Sequence, residues 1–192
     1  MAIKKEIGRY IFRKIQYLQF SDDRAMLARL RRGIGHDPGE KPELYGIILK
    51  DMPPHFWSEK RYGVTEAEWS CYIALTLFSW HQQGNDIKLH CVHTSDQHTS
   101  VGVAMRKLVY KSNDPNAEER MQNKLQVLIT SKDMREFSYH LKGIITLLRN
   151  EHVCLNYCEL AEDIYEFQFE EQKKQIGLKW GQDFYRENKE DE

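Results

Sequence analysis

At 192 residues the chain is long enough for one compact domain, or for two small helical ones, with a buried core. Its 41% hydrophobic and 30% charged residues are typical of a globular protein and exclude a disordered chain. No apolar run approaches the length that spans a membrane, and the basic start of the chain lacks the continuous apolar stretch of a secretory signal. We therefore expect a soluble, cytoplasmic protein without membrane contact.

The charge is balanced over the whole chain but uneven along it. Lys and Arg number 28 and Asp and Glu number 29, which gives a net charge of −1 at pH 7. Residues 1–32 contain nine basic and three acidic side chains, whereas residues 151–192 contain five basic and twelve acidic ones. The nearly neutral net charge thus combines a basic N-terminal part, which favours binding to a polyanion, with an acidic C-terminal part, which favours contacts with other proteins.

The first part of the chain has helical periodicity. Apolar residues at three- and four-residue steps predict an amphipathic helix over residues 3–19. A second helix follows, with Ser21 as its predicted N-cap and Gly33 at its end. The segment ELYGIILKDM is predicted to be a short helix that two prolines stop.

A central helix is predicted next. Thr65 and Glu68 form a capping-box pattern that opens the segment WSCYIALTLFSWH, which is apolar nearly all round and therefore suits the centre of a core. Further helices are predicted from Ser100 to Lys111, from Asp114 with Pro115 at the first helical position, from Asp133, from Asn156, and through Ile176, Trp180 and Phe184. The pattern favours an all-α helical bundle.

The polar loop at residues 83–99 and the loop at residues 111–115 each offer a boundary between two small helical lobes. We expect an N-terminal helical lobe over 1–111, a C-terminal helical lobe over 112–187 and a solvated tail over 188–192. The alternative is that the helices form a single domain.

Basic side chains recur along several predicted helices. Arg31 and Arg32 share an outer face of the second helix with Arg24, and Arg135, Lys142 and Arg149 repeat every seven residues, a line about 21 Å long. Such a line would cover several phosphates of an extended strand. Any one stripe alone suits an ordinary solvated surface, but the recurrence favours nucleic-acid binding. The candidate binding residues are Arg24, Arg31, Arg32, Arg106, Lys107, Lys111, Arg120, Lys124, Arg135, Lys142 and Arg149.

Other chemistries have weaker support in the sequence. The histidine-rich segment contains His81, His90, Cys91, His93 and His98, which are residue types that bind transition metals, but their spacing matches no established ligand pattern. Packed histidines in a polar loop are the favoured interpretation. The four cysteines are expected to be reduced thiols, and the four tryptophans core or docking residues. No motif nominates a catalytic residue or a cofactor, so we expect neither.

The order of several motifs resembles a known family. These motifs are LARLRRGIG, ALTLFSWHQ, HTSVGVAMRKL, AEERMQNKLQVLI, YHLKGIITLLR and KWGQDFY, and they extend from about residue 24 to residue 185. Together they look like the CasB family, the small subunit of the type I-E CRISPR Cascade complex.

This resemblance implies an all-α, two-lobed, non-enzymatic subunit of an antiviral surveillance complex. Two copies would lie head to tail between the large subunit and the filament that presents the crRNA. Their basic surfaces would contact crRNA and target DNA and hold the displaced non-target strand, so that the R-loop stays open. The residues that the resemblance assigns to these contacts are Arg31, Arg32, Arg106, Lys107, Arg120 and Lys142.

The chain departs from the family pattern in ways that bear on these expectations. It has SVG and HLK where the pattern often has SLG and HLR, so Lys142 offers a point charge in place of a bidentate guanidinium. The histidine-rich segment and the N-terminal helix have no assigned counterpart. Two other functions therefore stay open: a helical protein–protein adaptor without nucleic-acid contact, and a metal-dependent helical enzyme that uses His81, His90, His93 or His98.

Elemental analysis of the purified protein tests whether the chain is a metal-dependent enzyme. We expect no stoichiometric zinc or iron, because the histidine and cysteine spacing fits no ligand pattern. One equivalent of either metal per chain would favour the enzyme instead.

Overall fold

Nine α-helices and two short 3-10 helices form the secondary structure of residues 2–58, 63–95 and 97–186, which the computed structural model describes. The α-helices are α1 (Ala2–Ser21), α2 (Arg24–Arg32), α3 (Tyr45–Ile48), α4 (Glu66–His81), α5 (Val101–Lys111), α6 (Ala117–Ile129), α7 (Met134–Asn150), α8 (Tyr157–Phe167) and α9 (Glu170–Tyr185). The 3-10 helices are Pro42–Leu44 and Pro54–Phe56. The all-α prediction is confirmed, while the predicted tail 188–192 lies outside the described residues.

Helix α4 runs through the centre of the core, as its apolar sequence predicts. The Thr65 hydroxyl accepts a hydrogen bond from the Glu68 N–H at 3.1 Å, and the Glu68 carboxylate accepts one from the Thr65 N–H at 2.9 Å. This confirms the capping box. Every residue from Ser70 to Ser79 is buried, and α1, α2, α7 and α8 pack around the helix. The apolar surface of the helix is thereby buried away from water on all sides.

Two predicted helix starts were wrong. Ser21 is the last residue of α1, and the N-cap of α2 is Asp23, whose carboxylate accepts the Met26 N–H at 2.7 Å. Asp22 between them has a positive φ of 52°, which ends α1 there and places the N-cap of α2 two residues later than predicted. Helix α6 begins after Asn116, because the Asp114 carboxylate accepts the Asn116 N–H at 2.9 Å and forms a local turn that includes Pro115.

The segment ELYGIILKDM is less helical than predicted. A 3-10 turn precedes α3, and α3 ends at Ile48, well before the prolines that were expected to stop it. The buried side chains of Ile47, Ile48 and Met52 hold the segment against the core instead. Packing against α4, and not helix length, positions this stretch.

Helix α8 neutralises part of the basic α1. The Lys4 ammonium lies 2.6 Å from the Glu166 carboxylate, and the Lys5 ammonium lies 2.9 Å from that of Glu162. The two helices also share an extensive apolar contact. Basic side chains near the N-terminus therefore form ion pairs with acidic side chains of the C-terminal part. These four side chains are then less available to bind partner molecules.

Helices α5 and α9 approach each other closely at Gly102. A Cβ atom at this position would lie 2.1 Å from the Trp180 carbonyl oxygen, so only glycine fits. Trp180 is fully buried against the rings of Phe137 and Phe167, and its Nε1 donates to the Asp163 carboxylate at 2.8 Å. Burial raises the pKa of Asp163, which the Lys179 ammonium at 2.8 Å opposes.

Buried apolar side chains from both halves of the chain form one continuous cluster. Helices α1 and α4 pack on α8, so the proposed division at residues 111 and 112 crosses this shared core. The boundary itself stays a prediction. Of the helices in the described chain, none combines the length and apolar character that crossing a lipid bilayer requires.

The pH dependence of stability should report the burial of His81. Its Nδ1 lies 3.0 Å from the Tyr157 hydroxyl, and burial lowers its pKa from 6.5 to about 4. As pH falls below 6.5, the unfolded chain binds a proton that the folded chain excludes until about pH 4, so the free energy of unfolding falls through this window. We expect His81 to contribute up to about 3 kcal/mol of that loss. Denaturant titrations near pH 7 and pH 4 should show a smaller loss for His81→Gln, and equal losses would contradict this assignment.

Candidate nucleic-acid interface

Trp80 lies where two of the predicted basic stripes meet, at the C-terminal end of α4. The ring is half-buried, and its Nε1 donates a hydrogen bond to the Thr146 hydroxyl on α7 at 3.0 Å. The Arg149 guanidinium carbon lies 4.4 Å from the centre of the ring, and the Lys142 ammonium lies 4.9 Å from it. Both distances are typical of cation–π contacts, so the ring holds two cations of α7 on one surface.

Arg31 joins these cations from α2. Its Nη1 donates to the Ser79 carbonyl at 3.3 Å, while the Arg149 Nη1 donates to the Trp80 carbonyl at 3.5 Å and to the Gln83 side-chain oxygen at 3.2 Å. The last carbonyls of a helix lack intrahelical partners and carry partial negative charge, which attracts guanidinium groups. We name Arg31, Trp80, Lys142 and Arg149 the Trp80 cluster.

The cations of the Trp80 cluster have no counter-charge within the described ranges. Arg31, Lys142 and Arg149 contact carbonyls, an amide oxygen and an aromatic ring, and none of them pairs with a described carboxylate. Partial burial lowers the pKa of the Arg31 guanidinium, which nonetheless remains charged, as arginine does in proteins. The cluster is therefore a concentration of uncompensated positive charge, of the kind that binds phosphate.

Lys124 extends this positive surface onto α6. Its side chain and that of Lys142 line the same hollow between α6 and α7. Arg32, which follows Arg31 on α2, is exposed and makes no ion pair with any residue that the structure describes. These five cations are the members of the predicted set that lie in or next to the Trp80 cluster and have no carboxylate partner among the described residues.

Four predicted cations are instead paired with acids. Arg135 makes two hydrogen bonds to the Asp37 carboxylate, at 2.7 and 2.5 Å, and this pairing raises its pKa. The predicted line of Arg135, Lys142 and Arg149 therefore has a neutralised end. The other pairs are Arg24 with Asp22 and Asp86 at 3.7 and 3.8 Å, Arg106 with Glu118 at 3.0 Å, and Arg120 with Asp114 at 2.8 Å.

The basic side chains of α5 are separate from the Trp80 cluster, since no described contact joins them to it. The Arg106 guanidinium also stacks on the Tyr110 ring at 4.5 Å, and the Lys111 ammonium donates to the Glu151 carbonyl at 2.8 Å. Lys107 is exposed, and no described residue pairs with it. Arg106 and Lys111 thus serve the packing of α5 in this structure.

The histidines are distributed among separate hydrogen bonds. His81 contacts the Tyr157 hydroxyl, the His93 Nδ1 accepts the Tyr157 N–H at 3.1 Å, and His98 lies 2.9 Å from Glu159 and 3.2 Å from Asp183. Within the described ranges, no three His, Cys, Asp or Glu side chains converge as a metal ion would require. His81 is buried and His93 is half-buried, whereas His90 and His98 are exposed, so packing describes only part of this histidine set.

The contact of Trp80 with cations was not predicted from the sequence. The tryptophans were expected at core or docking positions, which is right for Trp180, whereas Trp57 is exposed and the Trp80 ring contacts two cations. One signal was present: Trp80 stands where the apolar run of α4 gives way to His81 and a polar loop. An aromatic residue at such a border presents part of its face to the surface.

Comparison with known proteins supplies the family context of this surface. Residues 26–185 match the family model of the CRISPR-associated protein Cse2. The fold is similar to the crystal structure of CasB from Thermobifida fusca, with a TM-score of 0.72 and 24% sequence identity over 97% of this chain and 99% of that chain. A search of the curated proteins finds no match.

Replacement of Arg149 tests whether the Trp80 cluster is also a structural contact. Arg149→Ala removes the bond to the end of α4 and the cation–π contact, so we expect the free energy of unfolding to fall by about 1–2 kcal/mol. Lys124→Ala is the matched control, because this exposed cation has no partner among the described residues and its loss should change stability by less than about 0.5 kcal/mol. Denaturant titration measures both, and equal effects would show that Arg149 does not stabilise the fold.

Proposed function

The chain belongs to the CRISPR-associated protein Cse2 family, and on this premise we propose that it is a non-catalytic small subunit of a crRNA-guided type I-E Cascade complex. In this role it contacts crRNA and target DNA through basic surfaces and holds the displaced strand, which stabilises the R-loop. The observation that carries the proposal is the Trp80 cluster, where helices far apart in the sequence bring together cations without acidic partners.

Contacts of this kind recognise the charge of a strand and not its sequence. Lys and Arg side chains neutralise phosphates and release counterions, so affinity falls steeply as salt rises. In RNA-guided complexes, base pairing with the guide reads the sequence, and the protein binds the backbone. Arg31 and Arg149 suit this task because their guanidinium groups are held in place by helix carbonyls before any strand binds.

The remaining surfaces suit protein neighbours in the complex. The proposed partners are the large subunit, the subunits of the backbone filament and a second copy of this chain. Several acids of the C-terminal part already pair inside the molecule, as Glu162 and Glu166 do with α1. Glu170 and Glu171 at the start of α9 are exposed and make no ion pair with a described residue, so they are available to contact basic surfaces of partners.

Combined replacement of Arg31, Arg32 and Lys142 by alanine tests phosphate binding. We expect weaker binding of single-stranded DNA and a salt dependence that is shallower by about two units of log affinity per log salt, since each lost phosphate contact removes about 0.7. Fluorescence anisotropy over a series of salt concentrations measures both quantities. Arg9→Ala/Lys50→Ala/Lys174→Ala is a matched control that removes the same charge from α1, α9 and the loop after α3.

Because Arg31 contacts the end of α4, a second variant separates folding from binding. Arg32→Glu/Lys124→Glu changes only exposed cations without described partners and should weaken binding while the melting temperature stays unchanged. Unchanged DNA affinity in both variants at every salt concentration would contradict the proposal. That outcome would favour a protein–protein adaptor without nucleic-acid contact.

A further inference from the structure

A hollow of about 480 Å³ lies between α6 and α7, beside the Trp80 cluster. Its size is within the range of about 300–1,000 Å³ that is common for small-ligand sites. The lining residues come from two helices and are Asn123, Lys124, Val127, Tyr139, His140, Lys142, Gly143 and Thr146. Lys142 and Thr146 also contact Trp80, so the hollow is continuous with the proposed phosphate-binding surface.

Tyr139 is an aromatic side chain that lines this hollow and is largely exposed. Its exposed fraction is 74%, and the ring contact that it makes within the described residues is a T-shaped one with His140, with the ring centres 5.3 Å apart. Val127 on the facing helix is also exposed, at 43%. An aromatic ring and an aliphatic side chain left in water on facing helices form an apolar slot that a flat group can enter.

The walls of the hollow add charge to this slot. Lys124 and Lys142 contribute two ammonium groups without a carboxylate partner in the described residues, and the Asn123 amide is exposed. No carboxylate is among the described lining residues, and Glu136, which lies 3.7 Å from His140, already accepts the Lys132 N–H at 2.7 Å. The occupant that matches is therefore anionic and carries a flat aromatic group, which is the chemistry of a nucleotide.

We propose that this hollow holds one unpaired nucleotide of the bound strand, with its base stacked on Tyr139 and its phosphates at Lys124 and Lys142. This inference rests on the proposed nucleic-acid function and adds a residue that contacts a base. A base inside a duplex cannot present its face to a side chain, so the strand at this point is single. Stacking on one tyrosine tolerates every base, which agrees with binding that does not depend on sequence.

Probes with and without bases test the inference. An oligo-thymidylate strand and an abasic phosphodiester strand of the same length carry the same charge, and only the former can stack. We expect Tyr139→Ala to bind oligo-thymidylate at least about fivefold more weakly than the parent protein and to bind the abasic strand equally well. Tyr139→Phe should retain the parent affinity for both probes, because the ring remains.

Two controls separate stacking from charge and from folding. Tyr185→Ala removes another exposed tyrosine, 51% exposed at the end of α9, and should change neither affinity. Lys124→Ala should lower the affinity for both probes by the same factor, because both strands carry phosphates. Melting curves of all variants should coincide, as each change is at an exposed position.

The outcomes distinguish this inference from the proposed function. Equal affinities of Tyr139→Ala and the parent for oligo-thymidylate, or equal losses on both probes, would overturn the base contact and leave phosphate binding intact. Failure of the parent protein to bind either probe at low salt would overturn the proposed function together with this inference.

Discussion

Enclosure of α4 on every side governs the arrangement of the other helices. A helix with apolar residues all round must be enclosed, and α1, α2, α7 and α8 enclose it. At its C-terminal end the half-buried indole of Trp80 reaches the surface, beside the Ser79 and Trp80 carbonyls. Arg31 and Arg149 from two of the enclosing helices bind those carbonyls. The same packing that completes the core therefore assembles the most concentrated group of unpaired cations described in the chain.

Ion pairs within the molecule determine how charge is distributed over the rest of the surface. The basic start and the acidic end of the sequence meet where α1 packs on α8, through Lys4 with Glu166 and Lys5 with Glu162. These ion pairs add little stability, because exposed pairs contribute about 0–1 kcal/mol each. Their larger effect is on the electrostatic field, since they cancel charge in one region and leave the surface around Trp80 positive.

The helices were largely predictable because their local signals agree with the global packing. Capping side chains at Asp133 and Asn156 accept backbone N–H groups as predicted, and the apolar stripe of α7 is buried. The errors arose where two local signals compete: Asp23 and Ser21 are both good caps, and the positive φ of Asp22 decides between them. The three cations of the Trp80 cluster were predictable in the same way, because helical spacing identified the cations that could face solvent, whereas the role of Trp80 was not.

The helical character of the chain, its buried faces and its set of basic residues can be predicted from the sequence alone, because they follow from periodicity and composition within one helix. Which cations remain unpaired depends on tertiary packing. Arg135 and Lys142 share a helix and a seven-residue spacing, yet Arg135 binds Asp37, 98 residues away, and Lys142 lies over Trp80. An ion pair depends on where the partner's helix or loop packs, and that position is set by the burial of apolar surface across the whole chain.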